Sequence, residues 1–218
     1  MLRLGLVLAA LLAAPLAHAQ LRTDLELSGG LALNQLSNQN DLTVFGQTIP
    51  GLAADYPLAA GFDGDLRVRL GTDNVAVRLG AGTLTTGTVF DVSTRLLGRD
   101  DLRASFATVS AEVEAGGRLG PARLYLVGGP ELRYLLSRND DEGPLDLGDV
   151  NRFHTALAVG TGARFDAGPV TVGPEVSASL GLARFADDEF SLLGQRVVLE
   201  EGFVLDNLAI GLTIGRRL

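Results

Sequence analysis

Residues 62–83 read FDGDLRVRLGTDNVAVRLGAGT. On the first arm Phe62, Leu66, Val68 and Leu70 share one parity, and Asp63, Asp65, Arg67 and Arg69 share the other. Gly71, Thr72, Asp73 and Asn74 follow, four residues suited to a turn. On the second arm Val75, Val77, Leu79 and Ala81 occupy one face, with Arg78, Gly80 and Gly82 opposite. Strand side chains alternate with period two, whereas a helix places apolar residues three and four apart. The stretch is therefore a β-hairpin with one apolar and one ionised face.

The same alternation continues outward in both directions. Upstream, Leu25, Leu27, Leu31 and Leu33 give a first strand over residues 21–33, followed by a long polar connection, 34–60. Downstream, a connection at 85–103 leads to strand four, where Val109, Ala111 and Val113 alternate with Ser110, Glu112 and Glu114. Gly120-Pro121 turns the chain into strand five, with Leu124, Leu126 and Leu132 against Arg123, Glu131 and Arg133. After an acidic connection, 137–152, strand six sets Phe153, Leu157 and Val159 against His154, Ala156 and Gly160. The Gly168-Pro169 turn gives strand seven, with Val172, Val176 and Leu180 against Thr171, Glu175 and Ser179. A last connection, 184–202, precedes strand eight, marked by Leu208, Ile210, Leu212 and Ile214. Pro130 and Pro174 fall inside strands, where a residue without an N–H marks a bulge or a weakly paired place.

Eight strands thus come with short turns near Gly71, Gly120 and Gly168 and long connections between them. Short turns collect at one end and long loops at the other, the asymmetry of membrane barrels. Phe62, Phe106, Tyr134, Phe153, Phe185 and Phe203 all stand where a strand meets a long loop, the level of an interfacial girdle. Phe62, Tyr134 and Phe153 share the apolar parity of their strands, and Phe106, Phe185 and Phe203 would need a bulge to do so.

The start of the chain points out of the cytoplasm. Met1-Leu2-Arg3 is positive, residues 4–16 are apolar, and Ala17-His18-Ala19 fits small-x-small cleavage. Residues 1–19 are expected to be a signal peptide and 20–218 a single barrel domain. The apolar run is short for a spanning helix. The chain has no cysteine, which excludes disulfides and thiolate metal sites. A net charge of −8 and a pI near 4.7 argue against a nucleic-acid partner. Mean hydropathy is +0.25, high for an exported soluble domain.

The ionised face comprises Asp63, Asp65, Arg67, Arg69, Arg78, Glu112, Glu114, Arg118, Arg123, Glu131, Arg133, Arg164 and Glu175. Turned inward, these acids and bases would pair across a lumen that eight strands make just wide enough for side chains to fill. The expected result is a structural ion-pair plug, with a narrow ion-conducting path as the alternative. Turned outward, they would coat a soluble, lipocalin-like barrel around an apolar ligand. The loop asymmetry favours the membrane.

Chemistry is not indicated. His154 is the sole histidine beyond the signal segment, and its same-face neighbours, Arg152 and Ala156, offer no nucleophile. No catalytic residue and no cofactor are expected, so the chain reads as a non-enzyme. Glycine-rich phosphate loops are missing. Acidic loops near Asp140 to Asp149 and Asp187 to Glu201 lack EF-hand spacing and would hold divalent cations only diffusely.

This combination of export signal, eight alternating strands, three tight turns and four long loops resembles the small eight-stranded outer-membrane barrels, such as OmpX and the OmpA transmembrane domain. The resemblance covers essentially all of residues 20–218 and rests on architecture, not on a residue signature. It implies an all-β, eight-stranded antiparallel up-and-down transmembrane barrel in the outer membrane. It further implies lipid as the surrounding partner and envelope or extracellular proteins as partners of the loops. Such barrels usually end in an aromatic residue, whereas this chain ends Gly215-Arg216-Arg217-Leu218, with Leu218 on the apolar parity.

Overall fold

The computed structural model describes residues 21–37, 42–44, 47–49, 59–91, 99–139, 145–146, 151–183, 189–192, 195–198 and 204–218. The expected signal peptide, Phe185 and Phe203, and most of the two acidic loops lie outside the described residues.

Eight strands form the wall: β1 (Arg22–Ser37), β2 (Ala59–Gly71), β3 (Val75–Asp91), β4 (Arg99–Leu119), β5 (Ala122–Asn139), β6 (Phe153–Ala167), β7 (Val170–Gly181) and β8 (Val204–Arg217). Each is antiparallel to its sequence neighbour, and β1 pairs with both β2 and β8, which closes the barrel. Closure leaves the barrel wall without a free edge strand.

The three short turns follow from their residues. At Gly120-Pro121 and Gly168-Pro169 the glycine takes φ of 61° and 69°, and proline then holds φ negative. This sequence of signs is the type II′ hairpin turn, whose twist matches that of the strands it joins. At the β2–β3 turn Thr72 Oγ1 accepts from the Asn74 and Val75 N–H groups, at 3.2 and 3.1 Å.

Both strand prolines interrupt a ladder. Pairing of β4 with β5 stops at Ser110–Glu131 and resumes at Val113–Gly128, skipping Pro130. Pairing of β6 with β7 stops at Phe165–Val172 and resumes at Gly162–Glu175, skipping Pro174.

The long connections are more ordered than their polarity suggests. The β3–β4 hairpin continues to Asp91–Arg99, well into the expected second loop. Short strands from the other three connections form a second sheet in the order Gln47–Ile49, Leu42–Val44, Gln195–Val198, Glu189–Leu192, Leu145–Asp146.

The barrel is inside-out relative to a soluble protein. Its outward positions hold most of the large apolar side chains, Leu126 being 66% exposed and Ile210 55%. Among the described residues the buried apolar set has eleven members, of which six are alanine. Its largest fully buried side chains are instead Arg69, Arg78 and Arg133. The lipocalin-like alternative is therefore corrected: the apolar parity faces out, and no apolar ligand chamber exists among the described residues. On β8 the outward face runs without charge from Leu208 to Ile214, between Asp206 and Arg216. About ten residues at ~3.3 Å rise, tilted by ~40°, make a band of about 25 Å.

Candidate functional site in the barrel lumen

Alternation delivers one side chain in two to the interior, and on β1 to β7 the ionised parity is the one delivered, whereas β8 contributes uncharged Leu205, Asn207, Ala209 and Thr213. Glu114, fully buried on β4, accepts from Arg69 Nε of β2 at 3.0 Å and from Arg164 Nη1 of β6 at 2.8 and 2.9 Å. Arg123 Nη2 of β5 lies 3.6 Å from the same carboxylate. Arg69 also pairs with Asp24 of β1 at 3.1 Å and donates to the Thr72 carbonyl at 2.6 Å, tying the first turn to the network.

Glu26 of β1 pairs with Arg164 at 2.9 Å and with Arg78 at 3.6 Å. Glu175 of β7 accepts from Arg67 at 2.6 Å, Arg78 at 2.9 Å and the Tyr125 hydroxyl at 2.6 Å. The Tyr125 ring is itself covered by the Arg164 guanidinium, 4.1 Å from its centroid. Arg67 also holds Asp65 at 2.9 Å. Nearer the long-loop end Arg133 pairs with Glu131 and donates to Ser179 Oγ and, at 3.0 Å, to the Leu205 carbonyl. At and beyond this level Leu84, Phe106, Ala104, Ala156 and Leu205 make up a buried apolar layer, with Ala156 in register with Glu131.

Of the thirteen ionised residues expected to share a face, twelve lie in or border this lumen. Arg118 does not: it has passed the rim of the turn end, where its exposed side chain pairs with Asp166 at 2.8 Å. Asp63 reaches a cavity and no guanidinium stands within 4.0 Å of it among the described residues. Asp24, Glu26 and Tyr125 were not among the thirteen, although each sits opposite leucines of its own strand. A further legible signal is that all eighteen basic residues are arginine. A planar guanidinium with five donors suits buried, multiply shared carboxylates, whereas a lysine ammonium is strongly hydrated.

Phe106 stands at the girdle's level but on the inward parity it shares with Glu112 and Glu114. It is fully buried against the lumen, beside a register shift at Ser105/Phe106, and meets the His154 ring edge-on at 5.6 Å. Phe62 and Phe153 do face outward, and Tyr134 contacts Phe153 at 4.9 Å. His154 is buried beneath the long-loop end.

The fold is that of the small outer-membrane β-barrels. The chain is similar to Neisserial surface protein A, with a TM-score of 0.53 and 11% identity over 90% of this chain and 97% of that one. It is also similar to the outer membrane protein OprG from Pseudomonas aeruginosa, with a TM-score of 0.54 and 12% identity over 92% and 98%. No protein-family profile and no curated protein sequence matches it. At these identities the likeness is one of fold, and no activity passes from those proteins to this chain.

Proposed function

We propose that this protein is an exported outer-membrane barrel whose lumen is plugged and whose role is structural or one of interaction, exercised through its long-loop end. The uncharged outer band carries the reading. Soluble monomers rarely expose contiguous apolar patches above a few hundred Å², and here such a surface circles the whole wall. Lipid is the solvent that such a surface fits, and a closed barrel is the β-structure that lipid tolerates.

The cross-lumen ion pairs and the buried apolar layer toward the long-loop end support the plugged lumen. Among the described residues no nucleophile–base pair accompanies them, and we assign the lumen a structural part. The small sheet shared by three connections gives the long-loop end a defined backbone for meeting other envelope or extracellular proteins. In this reading residues 1–19 are removed on export, and the short turns face the periplasm.

Fractionation tests the location. The mature chain is expected in the outer-membrane fraction, extracted only by detergent, and migrating faster on gels unheated than boiled. Recovery from the periplasm without detergent would refute the reading.

A further inference from the structure

The outer face of the wall is not evenly filled. Across β8, β1 and β2 the outward residues stand in rows, Ile214–Leu27–Leu66 and Ile210–Leu31–Phe62, and the row between them is Leu212–Gly29–Gly64. A groove of about 440 Å³ opens there. Leu27, Phe62, Leu66, Leu212 and Ile214 rim it, Gly29 and Gly64 floor it, and Ser28 and Asp65 border it from the inward parity.

The backbone requires neither glycine. A Cβ at Gly29 would meet the Phe62 ring at 3.6 Å and the Asp63 carbonyl oxygen at 3.8 Å, which is ordinary contact. At Gly64 it would meet only that ring, from 3.0 Å. The adjacent glycines Gly30 and Gly211 differ, since a Cβ on either would strike backbone at 2.4 or 2.5 Å. Gly29 and Gly64 thus leave space in an aliphatic wall, as glycine does where another molecule approaches a strand closely.

A second, independent observation lies on the same strip. Arg216 carries the outward parity of β8 toward the short turns, between Leu25 and Val170. It is exposed, and no acid pairs with it among the described residues. Arg22, Arg118, Arg123 and Arg217, at the same end, each reach an aspartate. Gly29 stands four residues beyond Leu25, the partner of Arg216. That is ~13 Å along the strand and, at a tilt of ~40°, about 10 Å in depth. One leaflet offers about 15 Å of hydrocarbon.

We propose that this strip binds one glycerophospholipid of the leaflet on the short-turn side, with its phosphate on Arg216 and an acyl chain in the Gly29–Gly64 groove. The inference rests on the membrane reading of the wall. A guanidinium presents a fork of donors matched to phosphate oxygens. Phe62 and the four aliphatic side chains of the rim offer the chain an apolar berth. Charge selects lipid over a second copy of the barrel, because a twofold axis along the membrane normal would set two unpaired Arg216 cations at one level.

The test is to fold the denatured mature chain into detergent micelles, add dimyristoylphosphatidylglycerol, and count bound lipids by native mass spectrometry. One lipid per barrel should survive the activation that strips the rest. Arg216→Gln should weaken retention about fivefold. Gly29→Leu, which fills the groove, should weaken it roughly tenfold, the worth of about two buried methylenes. Gly128→Leu, at an outward glycine on the opposite wall, should retain the lipid as wild type does. Wild type should hold dimyristoylglycerol, which lacks the phosphate, only as well as Arg216→Gln holds the phospholipid. Gel migration checks that each variant folds. Wild-type retention by Arg216→Gln and Gly29→Leu would overturn the site, and so would a dimer mass without lipid. A folded wild type that keeps no lipid would also overturn it and leave the membrane reading standing, whereas a chain that folds and stays dissolved without detergent would overturn that reading itself.

Discussion

Arg78 and Glu175 meet at 2.9 Å across the full width of the lumen, from strands four places apart around the ring and 97 residues apart in sequence. Glu175 simultaneously holds Arg67 and Tyr125, so one carboxylate joins β7 to β2, β3 and β5. A buried ion pair is weak evidence of net stabilisation, because desolvation offsets the attraction. Removing one partner is different, since the other charge stays buried without compensation.

Glu175→Ala should therefore destabilise the folded barrel by about 3–5 kcal/mol. Glu175→Ala combined with Arg78→Met should recover part of the loss, because it removes one of the stranded cations. Chemical unfolding in detergent, followed by gel migration, measures both. A single variant as stable as wild type would mean that Glu175 is not a hub.

The Pro174 interruption has its own prediction. Gly173 stands where β7 leaves its ladder with β6, and a Cβ there would strike the Ala163 carbonyl oxygen. Backbone cannot yield as a side-chain tip does, so Gly173→Ala should cost about 1–3 kcal/mol. Gly117 has nothing within 4 Å of the same built position, and Gly117→Ala should leave the unfolding midpoint in place. Equal midpoints for the two variants would show that the close approach is not a constraint.

Outer-face charge separates lipid from water as the solvent of the wall. Ile210 lies mid-band on β8, exposed and far from the rim residues Asp206 and Arg216. Ile210→Arg should lower folding stability in liposomes by about 2–4 kcal/mol, the range for a cation near the bilayer midplane. A wall that faces water would tolerate this change and gain solubility. Folding yield and unfolding midpoint in liposomes give the answer.

Much of this molecule was readable from period-two patterning. Alternation in residues 62–83 defined a wall segment, and its repetition defined eight strands, because lipid-facing and lumen-facing positions require opposite chemistry on successive residues. The three short turns were legible for a similar reason, since Gly-Pro at 120–121 and 168–169 meets a specific backbone demand. Period two alone is blind to inside and outside, and it was the spacing of short turns and long loops that favoured the ionised face within, where the structure has it. Which acid meets which base also lay beyond the pattern: Arg164 reaches Glu26 and Glu114 through strand tilt and ring closure, neither of which is local. Phe106 was readable as inward, since it shares the parity of Glu112 and Glu114, and the register shift skips Leu136 of the partner strand and leaves that parity unbroken. Arg118 kept its inward parity yet projects past the rim, which only the strand's length decides.

Conductance tests how the lumen is closed. A water path along the axis must cross two different barriers. One is the layer where Glu175 holds Arg67 and Arg78, which excludes water by filling the bore with paired side chains. The other is the Leu84, Phe106 and Leu205 layer, which offers water no hydrogen-bond partner. Phe106→Ala widens the second barrier and leaves the first. Glu175→Gln loosens the first and leaves the second. In planar bilayers the wild type and both single variants should show no steady current, and the double variant should conduct. Steady current through the wild type would favour the narrow ion path over the plug. Current through Phe106→Ala alone would place the whole barrier in the apolar layer and make the arginine network a scaffold for the wall.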